Sequence, residues 1–272
     1  MTTIERPASA ETESAWREAG RAWEHAATDW AFLFEPYARD AVETVFDLAG
    51  VGPGTELLDV ACGSGLAVSR AERLGATTSG IDAAEGLIEI AERRAPQSEL
   101  MAGDMFALPW ADDSFDVVTS FNGIWGGCDD AVAEMARVLR PGGLAAITFW
   151  GRSSELDLRD FFIVLGTAEA QVGEELMDLA QIGRPGVAEA MFDAAGLDVV
   201  TRGTTAARFE FPDGDIAWRA LRSPGVAAPS LAAVGEDELR SRVLDAVAPF
   251  RAGDGSYVLQ NELTHLITRL PG

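Results

Sequence analysis

The chain of 272 residues is expected to fold as an α/β protein, a doubly wound and mostly parallel sheet with helices on both faces. Three observations predict it. Beyond residue 50, short and fully apolar runs alternate with amphipathic stretches, as strands buried on both faces and their crossover helices require. A Gly63-x-Gly65 turn closes the first apolar run and opens the next amphipathic one. With 47% hydrophobic residues, a chain of this length can bury a core without disulfides or metal.

Residues 1–14 are rich in Thr, Glu, Pro and Ser without periodicity and are expected to fray. Residues 15–50 read as helical. Trp16, Trp23 and Trp30 recur every seven residues, Phe34, Tyr37 and Val42 extend the stripe, and Asp29 is placed to cap a second helix running past Pro36. Gly52-Pro53-Gly54 then breaks the pattern. Strands are predicted at 57–61, 77–81, 98–102, 115–121 and 144–150. Helices at 66–74, 85–94 and 130–139 lie between them, the last stopped by Pro141-Gly142-Gly143. The second half predicts helices at 156–170, 174–182, 187–195, 216–221 and 237–250, and strands at 198–211 and 256–269.

The composition excludes whole classes of chemistry. Formal net charge is −23, from 44 acidic and 21 basic residues, and every basic residue is Arg. A lysine Schiff base and a Walker-type phosphate loop both need an ammonium group that the chain lacks. The acidity argues against nucleic acid and against anionic membranes, since both attract clustered cations. Cys62 and Cys128 are the only cysteines and His25 and His265 the only histidines, so no disulfide framework and no metal centre is expected. The N-terminal stretch is polar and acidic, unlike a signal peptide, and no apolar run reaches spanning length. A soluble cytoplasmic protein is the expectation.

Three loops carry candidate chemistry. In residues 56–65, ELLDVACGSG, a strand ends near Asp59 and a small-residue turn leads into a helix. Gly63 and Gly65 would let a ligand approach the backbone, and the helix start offers free N–H groups, though an ordinary tight turn uses the same residues. Asp82 closes the second strand in Gly-Ile-Asp. A carboxylate there can accept both hydroxyls of a ribose, or cap the next helix, or do both. Gly103-Asp104-Met105 closes the third strand. Asp104 can accept from an exocyclic amine while Met105 lies on a purine ring, or Asp104 can simply cap a loop. A doubly wound sheet gathers all three loops at one crevice.

The succession LDVACGSG, GID, GDMFALPWADDSFDVVTSFNGIW, ARVLRPGG and LAAITFW resembles the class I S-adenosylmethionine-dependent methyltransferases. Within them it is similar to the small-molecule enzymes of the ubiquinone and menaquinone-biosynthesis type. The resemblance covers about residues 50–150. It implies a Rossmann-like sheet of seven strands in the order 3-2-1-4-5-7-6, with strand 7 antiparallel and helices inserted after strand 5. It implies S-adenosylmethionine as cofactor. Asp59, Ala61, Gly63 and Gly65 would then form the loop at the methionine end, with Ala61 standing where the family often has Gly. Asp82 would hold the ribose with Ala83 beside it, Asp104 and Met105 would bind adenine, and Phe121 and Asn122 would lie near the sulfonium. Trp30 and Tyr37 would join the cofactor-binding set from an N-terminal helical lid. Residues 1–272 are read as a single domain: the lid over 1–50, the cofactor-binding core over 51–150, and a C-terminal half, 151–272, with a helical cover and the last two strands.

Methyl transfer needs alignment in a dry pocket, and a base if the acceptor starts protonated. His25 in the lid segment is the candidate catalytic base, although a surface or packed histidine is the plainer reading; His265 reads as structural. Tyr37 and Arg39 could meet the cofactor's carboxylate, although an exposed helical arginine is the plainer reading of Arg39. Trp23, Trp30, Phe34, Trp125 and Phe161 could line an acceptor pocket or be simple core. Residues 120–123, Ser-Phe-Asn-Gly, lack the Asn/Asp-Pro-Pro-aromatic pattern of enzymes that methylate nucleobase or glutamine nitrogens. The expected activity is methyl transfer to a small apolar-aromatic acceptor, neutral or cationic, on O, N, S or C. A non-catalytic module that binds the cofactor or its demethylated product is one alternative. A dinucleotide oxidoreductase is the other, but its glycine fingerprint fails at Val68.

Overall fold

The structure is a computed structural model that describes residues 10–168 and 180–272. Its strands are β1 Glu56–Val60, β2 Thr77–Asp82, β3 Glu99–Ala102, β4 Phe115–Phe121, β5 Leu139–Trp150, β6 Asp198–Phe211 and β7 Tyr257–Arg269. They form a seven-stranded sheet in the order β3-β2-β1-β4-β5-β7-β6. The first five pair in parallel, and β7 runs antiparallel between β5 and β6. This is the Rossmann-like order that the resemblance implies. Leu57, Leu58, Val60, Val118 and Ile147 are fully buried, because helices cover both faces of the sheet.

Helices α1 Ala10–Glu24, α2 Ala27–Asp29 and α3 Arg39–Ala49 belong to the N-terminal segment. Helices α4 Leu66–Arg73, α5 Glu85–Arg94 and α6 Asp129–Val138 connect the parallel strands. After β5 come α7 Arg159–Ala168 and α8 Val187–Ala194; α9 Gly214–Leu221, α10 Ala228–Val234 and α11 Glu236–Val247 join β6 to β7. Phe34 and Tyr37 of the N-terminal segment share a buried cluster with Phe161, Phe209, Trp218 and Val243. The N-terminal cover is therefore packed on the C-terminal half, over the carboxyl ends of the strands.

Several elements differ from expectation. Helix α1 starts at Ala10, inside the stretch expected to fray, while residues 1–9 lie outside the described residues. The long N-terminal helix is broken into α2, a π-helical turn Trp30–Phe34 and a 3-10 turn Glu35–Ala38, where Pro36 has no N–H to continue a regular ladder. Asp29 caps nothing. It has helical backbone angles and its carboxylate pairs with Arg219 at 2.6 Å and Arg222 at 3.5 Å. Pro141-Gly142-Gly143 does not precede the fifth strand but sits inside β5, at a register shift opposite Phe115 and Val117. The helix predicted at 174–182 falls mostly outside the described residues; its end forms a 3-10 turn, Ala180–Gly183. Helix α10 was not predicted. Helix α9 begins at Gly214 because Asp213 caps it, its carboxylate accepting from the Ile216 amide at 2.8 Å.

Candidate active site

The carboxyl ends of the first four strands open onto a cavity of about 310 Å³. Ala61, Gly63, Asp82, Ala83, Asp104, Met105, Phe121 and Asn122 reach it from the sheet side. Trp30 and Tyr37 close it from the N-terminal cover, together with Trp16 and Trp23 of the heptad-spaced stripe. The spacing that suggested one helix thus delivers three indoles to one wall. Trp30 meets Trp23 edge to face at 4.9 Å and stacks on Phe34 at 5.0 Å.

Asp82 ties two loops together. One oxygen accepts from the Gly63 amide at 2.8 Å and the other from the Ala84 amide at 2.9 Å. It does not cap α5, whose N-cap is Ala84. Each oxygen keeps a further lone pair for a ligand. Burial raises the Asp82 carboxyl above its ordinary value, opposed by these backbone N–H groups. Asp104 is buried; Oδ1 accepts from the Phe106 amide at 2.9 Å, while Oδ2 is buried with no hydrogen-bond partner. The Trp30 indole N–H is likewise buried and unpartnered. The cavity wall therefore holds one orphan acceptor and one orphan donor, each costly unless a ligand satisfies it.

Five of the sequence-selected residues do not line this cavity. Asp59 lies beneath it, 2% exposed, accepting from Thr119 Oγ1 at 2.7 Å. Burial pushes Asp59 up to about 8; the Thr119 bond opposes the rise and the Asp82 and Glu35 charges add to it. Gly65 serves helix packing instead of ligand approach: its φ is +78°, and a Cβ would stand 2.8 Å from that of Ala91 in α5. His25 is exposed, and its ring nitrogens face the carbonyl oxygens of Ala22 at 2.7 Å and Arg222 at 2.8 Å. It links the N-terminal cover to the end of α9 and does not reach the cavity. Arg39 is also exposed and absent from the wall, and Phe161 is core while its neighbour Phe162 lines the space.

Glu35, Arg94 and Ser64 escaped the sequence reading. The Glu35 carboxylate accepts from Arg94 Nη1 at 2.6 Å, from the Ser64 amide at 3.1 Å and from the Ser64 hydroxyl. Arg94 Nη2 donates to the Ala31 carbonyl at 2.7 Å. This buried cluster fastens the cover to the glycine loop. It also explains Gly63, whose φ is +54° and whose Cβ would lie 3.2 Å from Glu35 Oε1. Burial raises Glu35 above its ordinary value, and the Arg94 charge opposes this. The only signal available beforehand was an acid within the aromatic stripe.

Tyr37 and Asn122 form the far wall. The Asn122 amide donates to the Tyr37 hydroxyl, and its carbonyl accepts from Thr148 Oγ1 at 3.4 Å. Burial raises the Tyr37 phenol well above its usual range, so it stays neutral with its own O–H free to donate. Beyond this pair lies a second cavity of about 500 Å³, sharing Asn122, Trp125, Trp150 and Phe162 with the first. Among the described residues no group of His, Cys, Asp and Glu could hold a metal ion, and no helix is long and apolar enough to cross a membrane.

Residues 58–147 match the family described as a methyltransferase domain. Over 101 residues the chain is 40% identical to a demethylmenaquinone methyltransferase of Renibacterium salmoninarum, covering 36% of this chain and 43% of that one. The chain spans about half the length of the curated relatives it matches. Among solved structures, the YcgJ protein of Bacillus subtilis superposes with a TM-score of 0.56 at 16% identity, over 85% of this chain and 98% of that one. A phosphoethanolamine N-methyltransferase of Haemonchus contortus, solved with phosphomonomethylethanolamine and S-adenosylhomocysteine, gives 0.53 at 15% identity over 85% of this chain and 52% of that one. Residues 58–147 thus resemble a methyltransferase domain, and the fold is the one that these solved structures share. Its sequence likeness over that segment is to demethylmenaquinone methyltransferases.

Proposed function

We propose that the chain transfers a methyl group from S-adenosylmethionine to a small organic acceptor. The observation that carries this reading is the charge of the first cavity: Asp82 and Asp104 line it and, among the described residues, no arginine does. That suits a ligand with a sulfonium cation, two ribose hydroxyls and an aminopurine. It is hostile to the diphosphate of a dinucleotide, which needs donors or cations and would meet two carboxylates.

The orphan groups fit the same ligand. Asp104 Oδ2 would accept from the adenine amine, Met105 would lie on the ring, and the free lone pairs of Asp82 would take the ribose hydroxyls. The Trp30 N–H, 3.6 Å from where a Gly63 Cβ would be, donates to the carboxylate at the methionine end. Held there, S-adenosylmethionine would supply a methyl carbon, the C–S electron pair leaving with sulfur as the acceptor's lone pair bonds to that carbon. The chain aligns and dries the site with Trp30, Tyr37, Phe121 and Trp150. No histidine lines either cavity, so no imidazole is placed to take a proton from the acceptor. The adjoining second cavity supports turnover over mere binding, since it offers the acceptor a place.

Calorimetry with S-adenosylmethionine, S-adenosylhomocysteine and NAD tests the cofactor. The first two are expected to bind and NAD is not; NAD binding without S-adenosylmethionine overturns the reading. Release of S-adenosylhomocysteine across an acceptor panel then separates an enzyme from a binding module.

A further inference from the structure

The charges of the two cavities are segregated. The second is walled by Trp125, Phe149, Trp150 and Phe162, and among the described residues its charged lining is Arg152 and Arg184, with no acid. In a chain with 44 acidic residues and 21 arginines, a cavity whose described lining holds no acid, beside one whose described lining holds no arginine, is a specific arrangement. Arg184 has no acidic partner among the described residues. Among the described residues Arg152 pairs with Glu155, at 3.9 Å and with both side chains more than 60% exposed (66% and 62%), a separation at which an ion pair contributes little.

Their placement follows from the backbone. Arg152 comes two residues after Trp150, the last residue of β5. Arg184 follows the Ala180–Gly183 turn, which lies so close to β5 that a Cβ on Gly183 would stand 2.9 Å from the Trp150 carbonyl oxygen. Both guanidinium groups are thus carried to the rim of the aromatic wall, at the side away from Asp82 and Asp104.

We infer that the acceptor is a small aromatic carboxylate, its ring against Trp150 and Phe162 and its carboxylate at Arg152 and Arg184. This rests on the methyltransferase reading and names its substrate class. The carboxylate is the handle; the nucleophilic atom sits at the other end, toward Asn122, where the two cavities meet. A guanidinium matches a carboxylate in geometry and charge, and holding it fixes which end of the acceptor faces the methyl group. The expectation of a neutral or cationic acceptor came from net charge. Net charge averages the whole surface, whereas an acceptor responds to the field inside one cavity.

The test uses matched acid and amide probes: 4-hydroxybenzoate with 4-hydroxybenzamide, indole-3-acetate with indole-3-acetamide, and quinoline-2-carboxylate with its amide. Each is titrated into the full chain saturated with S-adenosylhomocysteine, following tryptophan fluorescence. At least one acid should bind about tenfold or more tightly than its amide, the scale of a charge-assisted hydrogen bond. Arg184→Gln should remove most of that preference, with affinity for S-adenosylhomocysteine unchanged. If no acid exceeds its amide, or if the preference survives in the Arg152→Gln/Arg184→Gln double variant, the inference is overturned. Both arginines are exposed, so these variants should fold. Failure of S-adenosylhomocysteine to bind would sink the cofactor reading alone, because the acid-to-amide ratio can be measured on the cofactor-free chain.

Discussion

The two adjoining cavities are built by different means. The first is made of backbone constraints: positive φ angles at Ala61, Gly63 and Asn122, two carboxylates at strand ends, and a cover fastened by the largely buried Glu35–Arg94 pair and the half-exposed Arg219–Asp29 pair. The second is made of side chains brought by connections that lie far apart in sequence, with its charges at an exposed rim. A site that must hold one cofactor can be rigid and enclosed. A site that sets acceptor preference can change by substituting one or two surface residues without touching the sheet.

The strongest way to break this contrast is to unfasten the first cavity. Glu35→Ala leaves Arg94 without its carboxylate partner in a largely buried setting, where such a loss costs about 3–5 kcal/mol. Arg94 keeps some exposure, so the low end of that range, about 3 kcal/mol, is expected. Denaturant unfolding should register it, along with weaker S-adenosylhomocysteine binding, while the acid-to-amide preference of the second cavity persists. A stability loss below about 1 kcal/mol, typical of a surface pair, would mean that Glu35 does not fasten the cover.

Asp82→Ala acts next. It removes the acceptor for the Gly63 and Ala84 amides and for two ribose hydroxyls. A loss of about 1–3 kcal/mol in binding free energy is expected, equally for S-adenosylmethionine and its product, by calorimetry. An unchanged affinity would remove Asp82 from the cofactor site. A loss confined to S-adenosylmethionine would make its role electrostatic instead.

What could be read in the sequence follows the same division. The parallel strands and the loops at Gly63, Asp82 and Asp104 were legible because each is local: an apolar run, a turn residue, an acid at a fixed place after a strand. Helix α5 and strands β4 and β6 were found with their observed bounds. The break at Pro36 was missed because the aromatic stripe keeps helical spacing through a π-turn and a 3-10 turn. Glu35–Arg94 was missed because a contact between residues 59 apart leaves no local pattern. His25 was selected for its chemistry, but Arg222, nearly two hundred residues away, determines where its ring lies. Gly65 carried the right residue for a different reason, the Ala91 contact, which glycine spacing cannot distinguish from ligand approach.

The smallest effect is the most diagnostic of charge segregation. Burial holds Asp59 near 8 and raises Asp82, so both carboxyls resist ionisation beside the first cavity. For folding, a carboxyl raised in this way contributes stability that is complete below its ordinary value and is lost as pH climbs through about 8. The ligand-free chain should therefore lose stability as pH rises across that window, and Asp59→Asn should flatten the slope. For binding the sign reverses. A sulfonium favours the ionised carboxyls, so its binding expels protons, and affinity should rise with pH up to about 8 and level off above. S-adenosylhomocysteine shares the amino and carboxylate groups but lacks the sulfonium, so the ratio of the two affinities isolates the effect. An increase of about threefold in that ratio between pH 6 and pH 8 is expected, reduced in Asp59→Asn. A ratio independent of pH would show that the buried acids beneath the glycine loop do not feel the charge on sulfur.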